Sequence, residues 1–461
     1  MASHGDPAAP SAALARFVAE ASVPEAVRRT ARRYLLDWLG STLAGGELAP
    51  PRIVEALVDE LGGSSQATVL ASGRRSSAPL AALANAAASH VLEMDDLDRA
   101  SISHPGAPVI AASLAVGERD GSSGEELLDA IAIGYEAMIR IGEALGPAHY
   151  EHWHMTGTAG TLGAASAASR LAGFDAHTTL MALGSAGTMT AGLWEFLADG
   201  AMSKQLHPAK AAHDGVLAAL LAGRGFTAAT RILEGPKGLF AAMAPAGDPG
   251  AIVAGLGPQM ASWRIGGVSF KVHASCRHTH PAVDAALALR EEQGLGPAEV
   301  EHVSVRLYGQ ALGLLEGMEP TTPYAAKFSL PYCVASALTH GDLAPQRFSE
   351  EAITDRGVLA LADRISFSVD PELDALYPRA WPSIVSVTTR DGRTLERRVD
   401  HPAGDPENGL TDEDVAAKFT SLVGPLLGSR SGEIARDVLA GDPAPDAREM
   451  AGAVTLVPQA G

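Results

Sequence analysis

Only two cysteines, Cys276 and Cys333, occur in the chain of 461 residues. No disulfide framework can carry the fold, and the composition suits a reducing compartment. Basic residues are scarce too: 35 Lys and Arg stand against 54 Asp and Glu, a formal charge of −19. Proteins that grip nucleic acid concentrate positive charge to displace counterions from phosphates, so this balance argues against such a partner. An anionic ligand would have to meet a local basic pocket. No run of about 18 apolar residues is present, and the opening "MASHGDPAAPSAALARF" lacks the charged-then-apolar pattern of an export signal. Together these absences predict a cytoplasmic protein with no membrane partner.

With 46% hydrophobic and 19% charged residues, the chain has the composition of a compact protein rather than a disordered one. Aromatics make up only 5%, while Ala and Gly are abundant, which favours close helix packing. The length allows about three average domains or two larger ones.

From about Ser11 to Gly257 apolar residues recur at three- and four-residue spacing. In "PEAVRRTARRYLLDWLGSTLAGG", Val27, Ala31, Leu35, Trp38 and Thr42 share one helix face, with Pro24 at the start and Gly45 and Gly46 at the end. In "SSGEELLDAIAIGYEAMIRIGEAL", Ser123 and Glu126 form a capping box ahead of Leu127, Ile131, Tyr135, Met138 and Leu145. Such stripes must bury against one another, so a multihelical bundle is expected. The pattern changes near Trp263. "VEHVSVRLYG" alternates with period two, and "IVSVTTRDGRTLERRVD" has two alternating runs joined at Asp391-Gly392, a hairpin signal. The reading is therefore mostly α: a large helical domain begun by residues 1–263, a smaller α+β domain over 264–403, and a C-terminal helical return over 404–461.

Four segments concentrate polar residues within apolar sequence. "SHVLEMDDLDRASISHPGAP" places Glu93, Asp95, Asp96 and Asp98 ahead of His104. Carboxylates this dense raise one another's pKa and can orient a histidine, although an acidic loop beside a helix cap explains the spacing as well. "HYEHWHMTGTAGTLGAASAAS" sets His152 and His154 before a small-residue helix whose N-terminal N–H groups could attract an anion; it lacks the lysine and glycine spacing of a P-loop. Close helix packing around a structural histidine is the plainer alternative. In "EFLADGAMSKQLHPAKAAHDG", Lys204, His207 and Lys210 have apolar flanks, making Lys204 either a partly desolvated amine or an ordinary exposed lysine. Finally "FKVHASCRHTHP" alternates Cys276, His278 and His280, which would share a face if extended. A metal site there lacks a fourth ligand at recognisable spacing, and no hydrolase signature surrounds the cysteine. Pro281 suggests instead an anion-receiving helix start ringed by Lys271, Arg277 and His278.

These segments, with "LLDWLGSTLAG", "AKFSLPYCVASAL" and "GDPENGLTDEDVAAKF", occur in an order that resembles the MmgE/PrpD family, from about Phe17 to Val423. That family includes 2-methylcitrate dehydratase, cis-aconitate decarboxylase and iminodisuccinate epimerase. The resemblance implies a large helical domain with a smaller α+β lid, an active site in the cleft, a homodimer, and no metal or organic cofactor. It also places the acidic loop, His104, His154, Lys204 and Lys271 at positions that line the site in family members. Two departures stand out. Glu93 occupies the place of a leading aspartate, with Leu97 near a threonine position, and Cys276 stands where the decarboxylase branch has a catalytic histidine.

The family's reactions break a C–H or C–C bond next to a carboxylate, which calls for cations, a base and an acid. The expected roles follow. Lys204, Lys271 and Arg277, with helix N-termini after His104 and Thr156, hold a small di- or tricarboxylate, while Glu93, Cys276 and His278 line it. His104 or His154 moves the proton, with Asp95 or Asp96 setting the histidine tautomer. A cofactor-independent dehydratase-like lyase is the leading reading by family analogy. An epimerase of an imino or amino diacid and a non-catalytic binder of an acidic metabolite are the alternatives.

Overall fold

The computed structural model describes residues 8–257, 260 and 262–455. The chain divides into two compact units. One holds the described residues of Met1–Val91, Asp95–Val268 and Thr411–Gly461; the other holds Leu92–Met94 and Ser269–Leu410. The chain is mostly helical, with its longer strands in the second unit.

The first unit is built from packed helices, including Glu25–Gly45, Ala78–His90, Gly106–Asp120, Gly124–Tyr150, Met155–Leu171 and Ser203–Ala222. The capping box closes both ways. Ser123 N–H donates to Glu126 Oε2 at 2.8 Å, and Glu126 N–H donates to Ser123 Oγ at 3.3 Å, satisfying two otherwise orphaned donors. Behind it Leu127, Ile131, Tyr135, Met138 and Leu145 are all buried, as the 3.6-residue period requires. The same element kinks at Gly146, which has φ 74° and precedes Pro147. Pro24 lies one residue earlier than the first helical turn, as the N-cap of Glu25–Gly45. Helix Asp412–Leu427 packs against this element, with Phe419 meeting Gly40 and Lys418 pairing with buried Asp37 at 2.5 Å.

Helix Met155–Leu171 occupies the middle of the unit and is buried continuously from Met155 to Ser169. Its Gly, Ala and Thr side chains let Gly106–Asp120, Gly124–Tyr150 and Ser203–Ala222 approach closely on several sides. That packing fixes the helix ends on which the polar segments sit.

In the second unit Val300–Leu307 is an inner strand of a four-stranded sheet. It pairs parallel with Ile365–Val369 and antiparallel with Ser383–Thr389, which pairs with the edge strand Thr394–Val399. Val303, Val305 and Leu307 are buried while Ser304 and Arg306 are partly exposed, the period-two pattern of a half-buried strand. The hairpin turns at Gly392, φ 87°, a left-handed conformation that costs glycine nothing. Helix His280–Gln293 packs on the two antiparallel strands and on helix Leu330–His340. The segment of Cys276, His278 and His280 is not extended: a tight 3₁₀ turn over Arg277–Thr279 runs directly into this helix. The three side chains therefore do not share one strand face. Pro281, in the first helical turn, favours the helix start there.

Candidate active site

The polar segments of the first unit converge on four histidines. His90 ends helix Ala78–His90, and its Nδ1 donates to Asp95 Oδ2 at 2.6 Å. Because a carboxylate only accepts, this bond fixes the proton on Nδ1. His104 precedes helix Gly106–Asp120. Its Nδ1 lies 2.7 Å from the Asp96 carbonyl, another pure acceptor, and 3.4 Å from Asp95 Oδ2. Its backbone N–H donates to Thr156 Oγ1 at 3.1 Å, so Thr156 orients the histidine. His154, the N-cap of Met155–Leu171, holds its Nδ1 3.0 Å from His207 Nδ1, so these rings share one proton between them. Ring centroids are 4.8 Å apart for His90 and His104, 5.8 Å for His90 and His154, and 6.2 Å for His104 and His154. Trp194 packs against His154, and Phe196 packs edge-on against His207.

Burial governs the charge of these groups. His154 is held well below the ordinary histidine range, first by desolvation and then by His207, Lys204, His90 and His104. His207 is pushed down to about 4 by desolvation, His90, Lys204 and Lys210. Both are neutral at pH 7, the form that accepts a proton. Lys204 is only 3% exposed and supplies the ammonium charge felt by both rings. Asp96 moves the other way, up to about 8, because burial disfavours its anion and Asp95 repels it. Tyr135 Oη donates to Asp96 Oδ2 at 2.6 Å and Gly106 N–H donates to Oδ1 at 3.0 Å, which limits the rise. Position 106 requires glycine, since a Cβ there would lie 2.7 Å from Tyr135 Oη and 3.0 Å from Asp96 Oδ1.

The second unit contains its own polar group. Lys271, fully buried, donates to Glu93 Oε2 at 3.0 Å, and Tyr324 Oη donates to Glu93 Oε1 at 3.1 Å. Glu93 has φ 57°, a left-handed conformation costing roughly 1–2 kcal/mol for a residue with a Cβ. The two hydrogen bonds offset that strain. Lys327 donates to the carbonyls of Leu92 and Ala274 at 2.8 and 3.0 Å, and its own carbonyl accepts from Cys276 N–H at 2.9 Å. Cys276 is buried, 8% exposed, and forms no disulfide.

Several expected roles meet different geometry. Arg277 was expected to hold a substrate carboxylate. Instead one terminal nitrogen pairs with buried Asp405, which also accepts from Ser269 Oγ at 2.7 Å, and the other meets the carbonyls of Phe270 and Ala403 at 3.2 Å and His280 Nδ1 at 3.0 Å. These partners satisfy the guanidinium within the protein. His278 stacks on Trp381 at 4.3 Å with its Nδ1 2.6 Å from Tyr308 Oη, and burial lowers its pKa to about 3, so it adds no positive charge. The helix N-terminus after His104 is likewise engaged, because Asp96 takes the Gly106 N–H. His90 had no assigned role, although it lies five residues before Asp95 in the quoted acidic segment. His207 stood in the Lys204 segment, but its pairing with His154 joins positions 53 apart and has no local signature.

Neutral, buried imidazoles thus lie beside a lysine and a carboxyl raised to about 8 on a helical scaffold, an arrangement whose chemistry is proton transfer. Comparison with known proteins gives the lineage. The MmgE/PrpD N-terminal domain matches residues 12–251 and the MmgE/PrpD C-terminal domain matches residues 273–440. The chain therefore belongs to the MmgE/PrpD family. It is 25% identical to a cis-aconitate decarboxylase-like protein, oryM, of Aspergillus oryzae, over 95% of this chain and 96% of the relative. It is 26% identical to human cis-aconitate decarboxylase over 75% of this chain and 73% of that one. It is also 29% identical to 2-methylcitrate dehydratase of Salmonella typhimurium, over 31% of this chain and 32% of the relative.

Proposed function

We propose that the protein is a lyase acting on a small di- or tricarboxylate, and that its chemical step moves a proton at a carbon next to a carboxylate. The observation that carries this reading is the set of buried neutral imidazoles, His154 and His207, beside Lys204. Relatives named for cis-aconitate decarboxylation and 2-methylcitrate dehydration support the substrate class. In both reactions electron density builds on a carbon flanked by carboxylates, which a nearby ammonium stabilises.

In the proposed step Lys204 neutralises a substrate carboxylate. His154, kept unprotonated by burial and by neighbouring positive charge, accepts a proton, and His207 shares the load through the Nδ1–Nδ1 bond. His104, held by Asp96 carbonyl and Thr156, presents its other nitrogen. A resting histidine that lacks its second proton is equipped to abstract first, which favours dehydration over a decarboxylation begun by proton donation. An epimerase would use the same abstraction and return the proton to the opposite face.

The test is proton NMR of the purified protein in D₂O with hydroxylated, unsaturated and amino di- and tricarboxylates, including 2-methylcitrate and cis-aconitate. Loss of water or CO₂ from one compound is expected. Deuterium incorporation without net loss would replace the lyase with the epimerase. Saturable binding with no reaction across the panel would overturn the catalytic reading.

A further inference from the structure

Helix Ser203–Ala222 carries a polar group that the proton-transfer step leaves unused. Gln205 lies between Lys204 and His207 and is 2% exposed, yet neither its amide oxygen nor its amide nitrogen meets a hydrogen-bond partner among the described residues. No other described side chain leaves two buried polar atoms unmatched. An unmatched amide destabilises a protein interior, where an apolar side chain of the same size would do better. Successive helix residues are turned by about 100°, so Lys204, Gln205 and Pro208 occupy one buried arc while Ser203 and Leu206 lie on the exposed side. The same helix packs against Ala78–His90 and Met155–Leu171. His90, ending the first of these, also holds a buried Nε2 with no partner among the described residues, and its ring is close enough to His207 to depress that residue's pKa. Unmatched polar atoms thus stand on two packed helices, each beside a residue of the histidine site.

The chemistry of the missing partner follows from what the amide offers. Its oxygen only accepts and its nitrogen only donates, while a carboxylate can do no more than accept. A carboxylate would therefore leave the amide oxygen unmatched. A hydroxyl both donates and accepts, and so completes both atoms. We propose that Gln205 is a specificity-determining residue that binds an alcohol hydroxyl of the substrate, which makes the ligand a hydroxylated di- or tricarboxylate rather than an unsaturated or deoxy one. The acid class rests on the proposed function; the hydroxyl rests on Gln205. The amide transfers no proton. It sorts ligands, because an acid lacking the hydroxyl would leave buried polar groups of the protein unmatched, and sites of this kind discriminate by up to about 10⁴- to 10⁵-fold.

The measurement is isothermal titration of the full-length protein with acids paired by one hydroxyl: citrate against tricarballylate, and malate against succinate. Wild type should bind the hydroxylated member of at least one pair about 100-fold tighter or more. Gln205→Met, which keeps the length of the side chain, and Gln205→Leu should each bring that ratio below about tenfold. The loss should fall on the hydroxy acid, with the deoxy acid bound as before. Urea unfolding should show a midpoint equal to or above that of wild type, since an unmatched amide has been removed. Equal affinities within each pair in wild type, a preference that survives in either folded variant, or equal weakening of both acids would overturn the proposal while leaving the acid class standing. Binding of neither member of any pair to wild type would overturn it together with the proposed substrate class.

Discussion

Asp96→Asn isolates the most unusual titration in the first unit. The wild-type carboxyl is raised from 3.8 to about 8. Between those values the folded protein holds a proton that the unfolded chain has released, so folding takes up a proton. Stability from this group is therefore fully present below about pH 4 and is lost as pH rises through 8. Where the difference is one proton, the slope is about −1.4 kcal/mol per pH unit, so moving from pH 5 to pH 7 costs about 3 kcal/mol. Asparagine reproduces the protonated carboxyl in shape and charge. Its Oδ1 can accept from Gly106 N–H, and its amide can donate to Tyr135 Oη. The variant should then match wild type near pH 4, exceed it by about 4 kcal/mol at pH 7 and by more at pH 9, and lack this part of the pH slope. Urea unfolding of both proteins at pH 5, 6, 7 and 9, followed by tryptophan fluorescence, measures the difference directly. Subtracting the two curves removes the other titrating groups. Parallel pH profiles, or a variant several kcal/mol weaker at pH 7, would show that Asp96 is ionised in the folded protein and would refute the reasoning.

Other expectations follow from the same geometry. His104→Ala, His154→Ala and Lys204→Ala should each lower turnover by about 10²- to 10⁴-fold with unchanged far-UV circular dichroism; near-wild-type turnover in all three removes the proposed site. Arg277→Ala leaves Asp405 buried without its cation, so a loss of about 3–5 kcal/mol is expected in urea unfolding. A stable variant with raised KM would instead show that Arg277 meets substrate. Gly106→Ala drives a methyl into Tyr135 and Asp96 and should cost about 1–3 kcal/mol, read as a lowered unfolding midpoint.

Features governed by near neighbours in sequence were legible. Ser123 and Glu126 lie three residues apart, and their reciprocal bonds depend only on the first helical turn. The alternation of Val303, Val305 and Leu307, and the Asp391-Gly392 turn, likewise express local backbone geometry. The density of carboxylates from Glu93 to Asp98 showed that polar chemistry gathers there, and the raised Asp96 accords with it, although desolvation outweighs mutual repulsion.

What each charge does was decided elsewhere. Glu93 and Asp95 are two residues apart, yet one meets Lys271 and Tyr324 in the second unit while the other meets His90 in the first. Arg277 reads as an anion binder until Asp405, 128 positions on, takes its guanidinium. His154 and His207 become a proton-sharing pair only when two helices pack. Periodicity, capping and composition are set by energies along a few residues of chain, so the sequence alone determined the helices, the hairpin and the family. Desolvation and long-range pairing depend on what the folded chain stacks around each group, so only the tertiary structure decided which histidines are neutral, which carboxyl keeps its proton and which cations are already satisfied.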